Sequence, residues 1–240
     1  VATALRGLFV TGTGTEVGKT VVAAVIARSL AAEGRRVAVF KPAVTGLEEP
    51  GQADHELLRR ASGSGQSDEE IAPYRYGPPV SPHLAAELAG QRIEAARLMR
   101  AAEAAAAGAD ALVCEGIGGL MVPLATGYLV RDFARQLGLP LVVAATAGLG
   151  TINHTLLTLE AARAAGLDVA SVVLTPWPED PDPIQGSNHR TLESMGGVPV
   201  AVLPTLDLKD PDSWPRLEVR VEERSAEPRG RGLSETQPSA

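Results

Sequence analysis

The chain has 240 residues, of which 45% are hydrophobic and only 3% aromatic, and its formal net charge is −7. That length supplies one well-cored α/β domain and falls short of two of ordinary size. The acidic balance, with no basic run before the tail, excludes nucleic acid as a default partner, because phosphate backbones are held by clustered Lys and Arg.

Cys114 is the single cysteine, so no internal disulfide can form. It lies in an apolar run and is expected to be a buried structural thiol. His55, His83, His154 and His189 show no metal-ligand spacing. The opening residues carry no signal-peptide pattern, and no stretch approaches the length of a membrane span. A cytoplasmic enzyme with no membrane partner is the expectation.

In chain order, Leu8–Val10 reads as a strand, followed by a Gly-rich turn and a helix from Lys19 to about Glu33, stopped by Gly34. Val37–Phe40 is a strand ended by Pro42, and Asp54–Ala61 a short helix. Residues 46–53 and 73–82 read as loops, the second rich in proline. Ala95–Ala107 is a strong helix former closed by Gly108. Then come a strand at Ala111–Cys114, a helix at Val130–Leu137, a strand at Leu141–Ala145 and a helix at Thr155–Ala165. A strand at Val169–Leu174, a helix near Asn188–Met195 and a strand near Val200–Leu203 complete the pattern.

Strands separated by single helices predict right-handed crossovers and a single-domain, doubly wound, mostly parallel α/β sheet over residues 1–219. The charged, Gly/Pro-containing residues 220–240 read as a disordered tail. Ligands of such sheets bind beyond the carboxyl ends of the strands, which selects Gly12–Thr20, Lys41–Thr45, Glu115–Gly119, Ala147–Asn153 and Thr175–Pro178 as one functional edge.

Gly-Thr-Gly-Thr-Glu-Val-Gly-Lys-Thr (12–20) follows a strand and opens a helix, the context a P-loop requires. Its backbone N–H groups and the helix start suit a β-phosphate, Lys19 the β/γ oxygens and the Thr20 hydroxyl Mg²⁺. The loop departs from the strict motif: Thr13 stands where the first Gly belongs, and Gly12 lies one residue earlier. Partition-type ATPases carry a second lysine at the position of Gly14, which sets this chain apart from them.

Mg²⁺ takes hard oxygen ligands, commonly one or two carboxylates. Glu115, at a strand end before glycines, should face the P-loop edge. Asp54, before a helix, is equally readable as an N-cap or a ligand. Lys41 lies on the same edge and can reach the substrate or the γ-phosphate. As a strand-end surface lysine it should be removable without loss of the fold. Two lysines beside a triphosphate suit phosphoryl transfer, which depends on positioning and charge.

Five loops in order and spacing resemble the dethiobiotin synthetase family: residues 12–20, Lys-Pro-Ala-Val-Thr-Gly (41–46), Ser-Pro-His (81–83), Glu-Gly-Ile-Gly-Gly (115–119) and Gly-Leu-Gly-Thr-Ile-Asn-His (148–154). The family's loop has its first Gly six residues before its second, as Gly12 and Gly18 stand here. The resemblance covers about residues 7–206. It implies a homodimer with a seven-stranded parallel sheet. It also implies a reaction in which 7,8-diaminopelargonic acid and CO₂ form a carbamate that ATP phosphorylates and the neighbouring amine closes to a ureido ring.

By matching position the resemblance makes Lys41 catalytic together with Lys19, and Thr20, Asp54 and Glu115 the Mg²⁺ shell. It puts Glu16, Val17, Gly18, Lys19, Thr20, Val21, Asp54, Glu115, Gly116, Ile117 and Gly118 around ATP. Thr45 would hydrogen-bond the diamine or carbamate, and Gly150, Thr151, Ile152 and Asn153 of the partner subunit would take its carboxylate tail. Ser81–His83 would sit near the diamine. Thr175 and Pro176 occupy a base-reading position where the family often has Asn, and Pro204, Thr205 and Leu206 match the second base loop loosely. A corrinoid-acid-type amide ligase and a partition-type switch ATPase are the competing functions. The first usually brings a glutaminase domain for which this chain has no spare length.

Overall fold

Runs of Val, Leu, Ile and Phe become the strands, and Ala- and Leu-rich segments the helices, of a computed structural model that describes residues 5–51, 53–218 and 222–223. In order these are β1 (Arg6–Gly12), α1 (Lys19–Ala32), β2 (Val37–Phe40), α2 (Asp54–Ser62), α3 (Asp68–Ile71), α4 (Pro82–Leu88), α5 (Ala95–Ala106) and β3 (Ala111–Glu115). They are followed by β4 (Pro123–Ala125), β5 (Tyr128–Leu129), α6 (Val130–Leu137), β6 (Leu141–Ala145), α7 (Thr151–Ala164), β7 (Val169–Trp177), α8 (Pro183–Gly196), β8 (Val200–Pro204) and β9 (Glu222–Glu223).

Six strands run parallel in the order β2-β3-β1-β6-β7-β8. The seventh, β9, pairs antiparallel with Arg6 and Gly7 at the start of β1. The expected all-parallel seven-stranded sheet is therefore corrected to six parallel strands and one antiparallel. The expected disordered tail, residues 220–240, falls largely on 220–221 and 224–240, outside the described residues, but Glu222–Glu223 form β9.

Successive strand residues face opposite sides of the sheet, and both sides are covered. Leu8, Val10, Val37, Val39, Ala111 and Val113 meet α1, α2, Trp214 and Leu217 on one face. Phe9, Phe40, Leu112 and Cys114 meet Leu98, Ala102 and Phe133 on the other. Burial on every side explains why Val22 to Ala27 of α1 are all fully inaccessible, a pattern no surface helix shows. The Ser29 hydroxyl, donating to Val25 O, accepts the Leu217 N–H and so ties the C-terminal segment to α1.

Expected and observed elements differ at particular places. The 73–82 loop ends at Ser81, and α4, which the sequence reading did not place, begins at Pro82, because proline at the first helical position loses no hydrogen bond. The helix expected from Thr155 begins at Thr151, with left-handed Gly150 as its N-cap. The helix expected from Asn188 begins at Pro183, where Asp182 and Gln185 form a capping box. Cys114 is fully buried, as its apolar setting implies.

Candidate active site

β1 sits mid-sheet with β3 and β6 on its two sides, so the loops leaving these strands open away from each other at the carboxyl edge. The P-loop fills this position. A Cβ on Gly12 would lie 2.6 Å from Val17 Cγ2 and 2.8 Å from Lys19 Cγ, so only glycine lets the loop fold back on its own strand. Gly18 N-caps α1 at φ 82, and Glu16 holds φ 58 without being glycine. Lys19 reaches across the loop to donate to Gly14 O at 2.8 Å.

Four side chains from four elements meet beside this loop. Lys41 Nζ lies 2.7 Å from Glu115 Oε1 and 2.8 Å from Asp54 Oδ2. Thr20 Oγ1 lies 2.9 Å from Glu115 Oε1 and 3.0 Å from Asp54 Oδ1. Lys41 is 3% exposed and Glu115 0%, so neither is the solvated residue that a strand end allows. Asp54 is the first residue of α2 and Ala53 its N-cap, which leaves the Asp54 carboxylate to face Thr20 and Lys41. The helix-capping alternative for Asp54 is thereby ruled out. The expectation that Lys41 is a surface lysine, removable without loss of the fold, is corrected too: it is a buried cation between the fully buried Glu115 carboxylate and the partly exposed Asp54 carboxylate, and its loss leaves them uncompensated.

The local fields follow from this packing. Burial works to lower the Lys41 pKa, but Glu115 and Asp54 outweigh it and raise it above the usual lysine value, which keeps Lys41 positively charged. Burial opposes ionisation of Asp54 as well, yet Lys41 beside it holds its pKa below the usual carboxylate value. For Glu115 burial prevails over Lys41 and raises the pKa. Lys19 is lowered, chiefly by burial.

The donor set suits Mg²⁺. Glu115 Oε2 is buried without a hydrogen-bond partner, an acceptor whose unmet demand a cation would satisfy. Adjacent ligands of an octahedral ion at about 2.1 Å stand about 3.0 Å apart, which matches the Thr20–Glu115 and Thr20–Asp54 oxygen spacings of 2.9 and 3.0 Å. Among the described residues no group of three or more His, Cys, Asp or Glu could hold a metal, so a site here rests on two carboxylates and a hydroxyl.

Residues 6–212 match the family described as "AAA domain". The ATP-dependent dethiobiotin synthetase BioD of Anaeromyxobacter dehalogenans strain 2CP-1 is 45% identical over 201 residues, 83% of this chain and 90% of that protein. The synthetase of the same name from Rhodococcus erythropolis is 41% identical over 80% of this chain and 84% of its own length, and that from Bacillus subtilis strain 168 is 35% identical over 84% and 88%. The chain belongs to the ATP-dependent dethiobiotin synthetase family. Its fold is also that of a ParA family ATPase from Chlorobium tepidum, with a TM-score of 0.55 at 12% identity over 85% of this chain and 88% of the other.

Within this synthetase fold the remaining expected residues lie around the cluster without hydrogen bonds to it. Glu115–Gly119 runs against the P-loop: a Cβ on Gly119 would stand 3.2 Å from Gly12 O, and one on Gly118 3.8 Å from Thr15 Oγ1. Val44, beside Thr45, is held by Tyr74 O and Tyr76 N. Thr175 is turned inward beneath the P-loop, its methyl 2.5 Å from where a Gly18 Cβ would be. Pro176, Pro204 and Thr205 are exposed, and Leu206 packs on the core.

At the start of α7, Thr151 is buried and bonded to Thr155, Ile152 is half-buried and Asn153 is exposed. Asn188 is a residue that sequence reasoning missed. Its Nδ2 donates to Ala147 O and Gly148 O, both at 3.0 Å, and pins the loop leading to Gly150. Nothing in a polar residue of an ordinary helix, 40 positions away, signals that role.

Proposed function

We propose that the chain joins CO₂ to 7,8-diaminopelargonic acid at the expense of ATP, giving dethiobiotin, ADP and phosphate in biotin biosynthesis. The observation that carries the reading is the Lys41–Asp54–Glu115–Thr20 cluster against the P-loop, with Lys41 and Glu115 buried, in a chain 45% identical over 201 residues to a dethiobiotin synthetase. Thr20, Asp54 and Glu115 would hold Mg²⁺, which neutralises phosphate charge when bound.

The P-loop N–H groups and Lys19 hold the triphosphate. Lys41, kept protonated by its carboxylates, acts as charge rather than as a base: it steadies the carbamate oxygen and the γ-phosphoryl group as they approach. The carbamate oxygen attacks the γ-phosphorus and ADP leaves. The neighbouring amine then attacks the carbonyl carbon of this mixed anhydride, phosphate departs with the C–O bond, and the ureido ring closes with loss of a proton. Thr45 lies four residues beyond Lys41 on the same edge and orients the diamine.

Homodimerisation is part of this reading, with Gly150–Asn153 of one subunit taking the substrate carboxylate of the other. The exposed Leu149 (93%) and Leu157 (57%) flank the helix start involved and support it. A cytoplasmic location belongs to the same reading; no helix among the described residues is long and apolar enough to cross a membrane. The test is mass-spectrometric detection of dethiobiotin from the diamine, bicarbonate and MgATP. ATP hydrolysis unchanged by the diamine would refute the assignment. Mixing Asn153→Ala with Lys41→Ala subunits should restore part of the activity, and no restoration after demonstrated subunit exchange would count against a shared site.

A further inference from the structure

At the β2 edge of the sheet, behind the segment that pairs with Val44, a cavity of about 430 Å³ is lined by Glu69, Pro73, Tyr74, Arg75, Gln91, Arg92 and Arg97. Three arginines face one carboxylate there, in a chain whose net charge is −7. The carboxylate is already committed, since Glu69 pairs with Arg75. Arg97 lies with its guanidinium carbon 4.7 Å from the Tyr74 ring centroid, which fixes the plane of its donors. Arg92 has no ion pair or hydrogen bond to any described residue. The Tyr74 hydroxyl, on a residue only 3% exposed, accepts from the Glu94 N–H, and its own proton has no acceptor among the described residues.

The geometry points to a second anion site here, built for a phosphoryl group. Arg97 Nη2 also donates to Pro73 O at 3.4 Å, so the lining offers the Arg92 fork, the remaining Arg97 N–H groups, the Gln91 amide and the Tyr74 O–H as donors in several directions. Three tetrahedral phosphate oxygens can use such a set, whereas the flat carboxylate has only two oxygens. The size falls within the range of small-molecule sites, about 300–1,000 Å³. None of these residues belongs to the catalytic cluster, so the site stands or falls separately from the proposed reaction.

The test uses the full chain with its nucleotide site filled by ADP, Mg²⁺ and beryllium fluoride, titrated with inorganic phosphate at constant ionic strength. Saturable amide shifts at residues 73–75 and 91–97 in NMR spectra are expected. Arg92→Ala should raise the Kd by about tenfold, equivalent to about 1.4 kcal/mol. Arg92→Lys, which keeps the charge and loses the fork, should fall between. Arg92 is exposed, so both variants should fold; unchanged shifts at distant amides would verify this. Absence of saturation, equal shifts with chloride, or a Kd indifferent to both variants would overturn the site.

Discussion

The two ends of the functional edge are built differently. At the β1–β2–β3 end, Thr20, Lys41, Asp54 and Glu115 hold one another within 3.0 Å, and Lys41 and Glu115 are almost inaccessible. At the β7–β8 end, Pro176, Pro204 and Thr205 are exposed, and Thr175 is turned inward beneath Gly18. The first region fixes charges in a poorly solvated setting, where each is worth more and none can be lost alone. The second offers little side-chain hydrogen bonding to a purine. On the proposed function, the side chains of the first region would fix the charges of phosphate chemistry, and base recognition would fall largely to backbone.

The largest effect should come from removing the cation of the first region. Lys41→Met should lower turnover by at least about a thousandfold, and stability by about 3–5 kcal/mol, because Asp54 and Glu115 lose their partner. Lys41→Met with Glu115→Gln should recover much of the melting temperature and none of the activity. A double variant that regains turnover would show that the cluster is structural. Next, Glu115→Gln alone should shift the Mg²⁺ dependence of activity at least about tenfold upward. An unchanged titration would remove Glu115 from the metal shell.

The regions touch at Gly18 and Thr175. Gly18→Ala forces a side chain into left-handed backbone and onto Thr175 Cγ2, and should cost about 2–3 kcal/mol with a raised KM for ATP. Adding Thr175→Ser, which deletes that methyl, should return part of the loss. The smallest effect belongs to the base end. CTP or GTP should support turnover within about tenfold of ATP, a gap of about 1.4 kcal/mol. A preference for ATP of a hundredfold or more in kcat/KM would show that backbone around Pro204–Leu206 reads adenine.

Legibility in the sequence follows the same division. β2, α6 and β6 lie where periodicity places them, because each is an uninterrupted apolar or amphipathic run bounded by Gly or Pro. The P-loop is legible because its chemistry is local. The burial of Lys41 is not, since it depends on β3 and α2 bringing Glu115 and Asp54 from 74 and 13 residues away. The short helix α4, which follows the loop, escaped notice for a different reason: its Pro82 reads as a breaker even where it starts a helix.

The central claim is that the buried Lys41 cluster couples ATP cleavage to ring closure on the diamine. Rapid-quench measurement of phosphate release, with and without the diamine and bicarbonate, tests it most directly when run on the native chain and on Lys41→Met/Glu115→Gln. The native chain should release phosphate in step with dethiobiotin and only when both are present, and the folded double variant should release none on that timescale. Rapid release without the diamine, or release by the double variant at the native rate, would contradict the account.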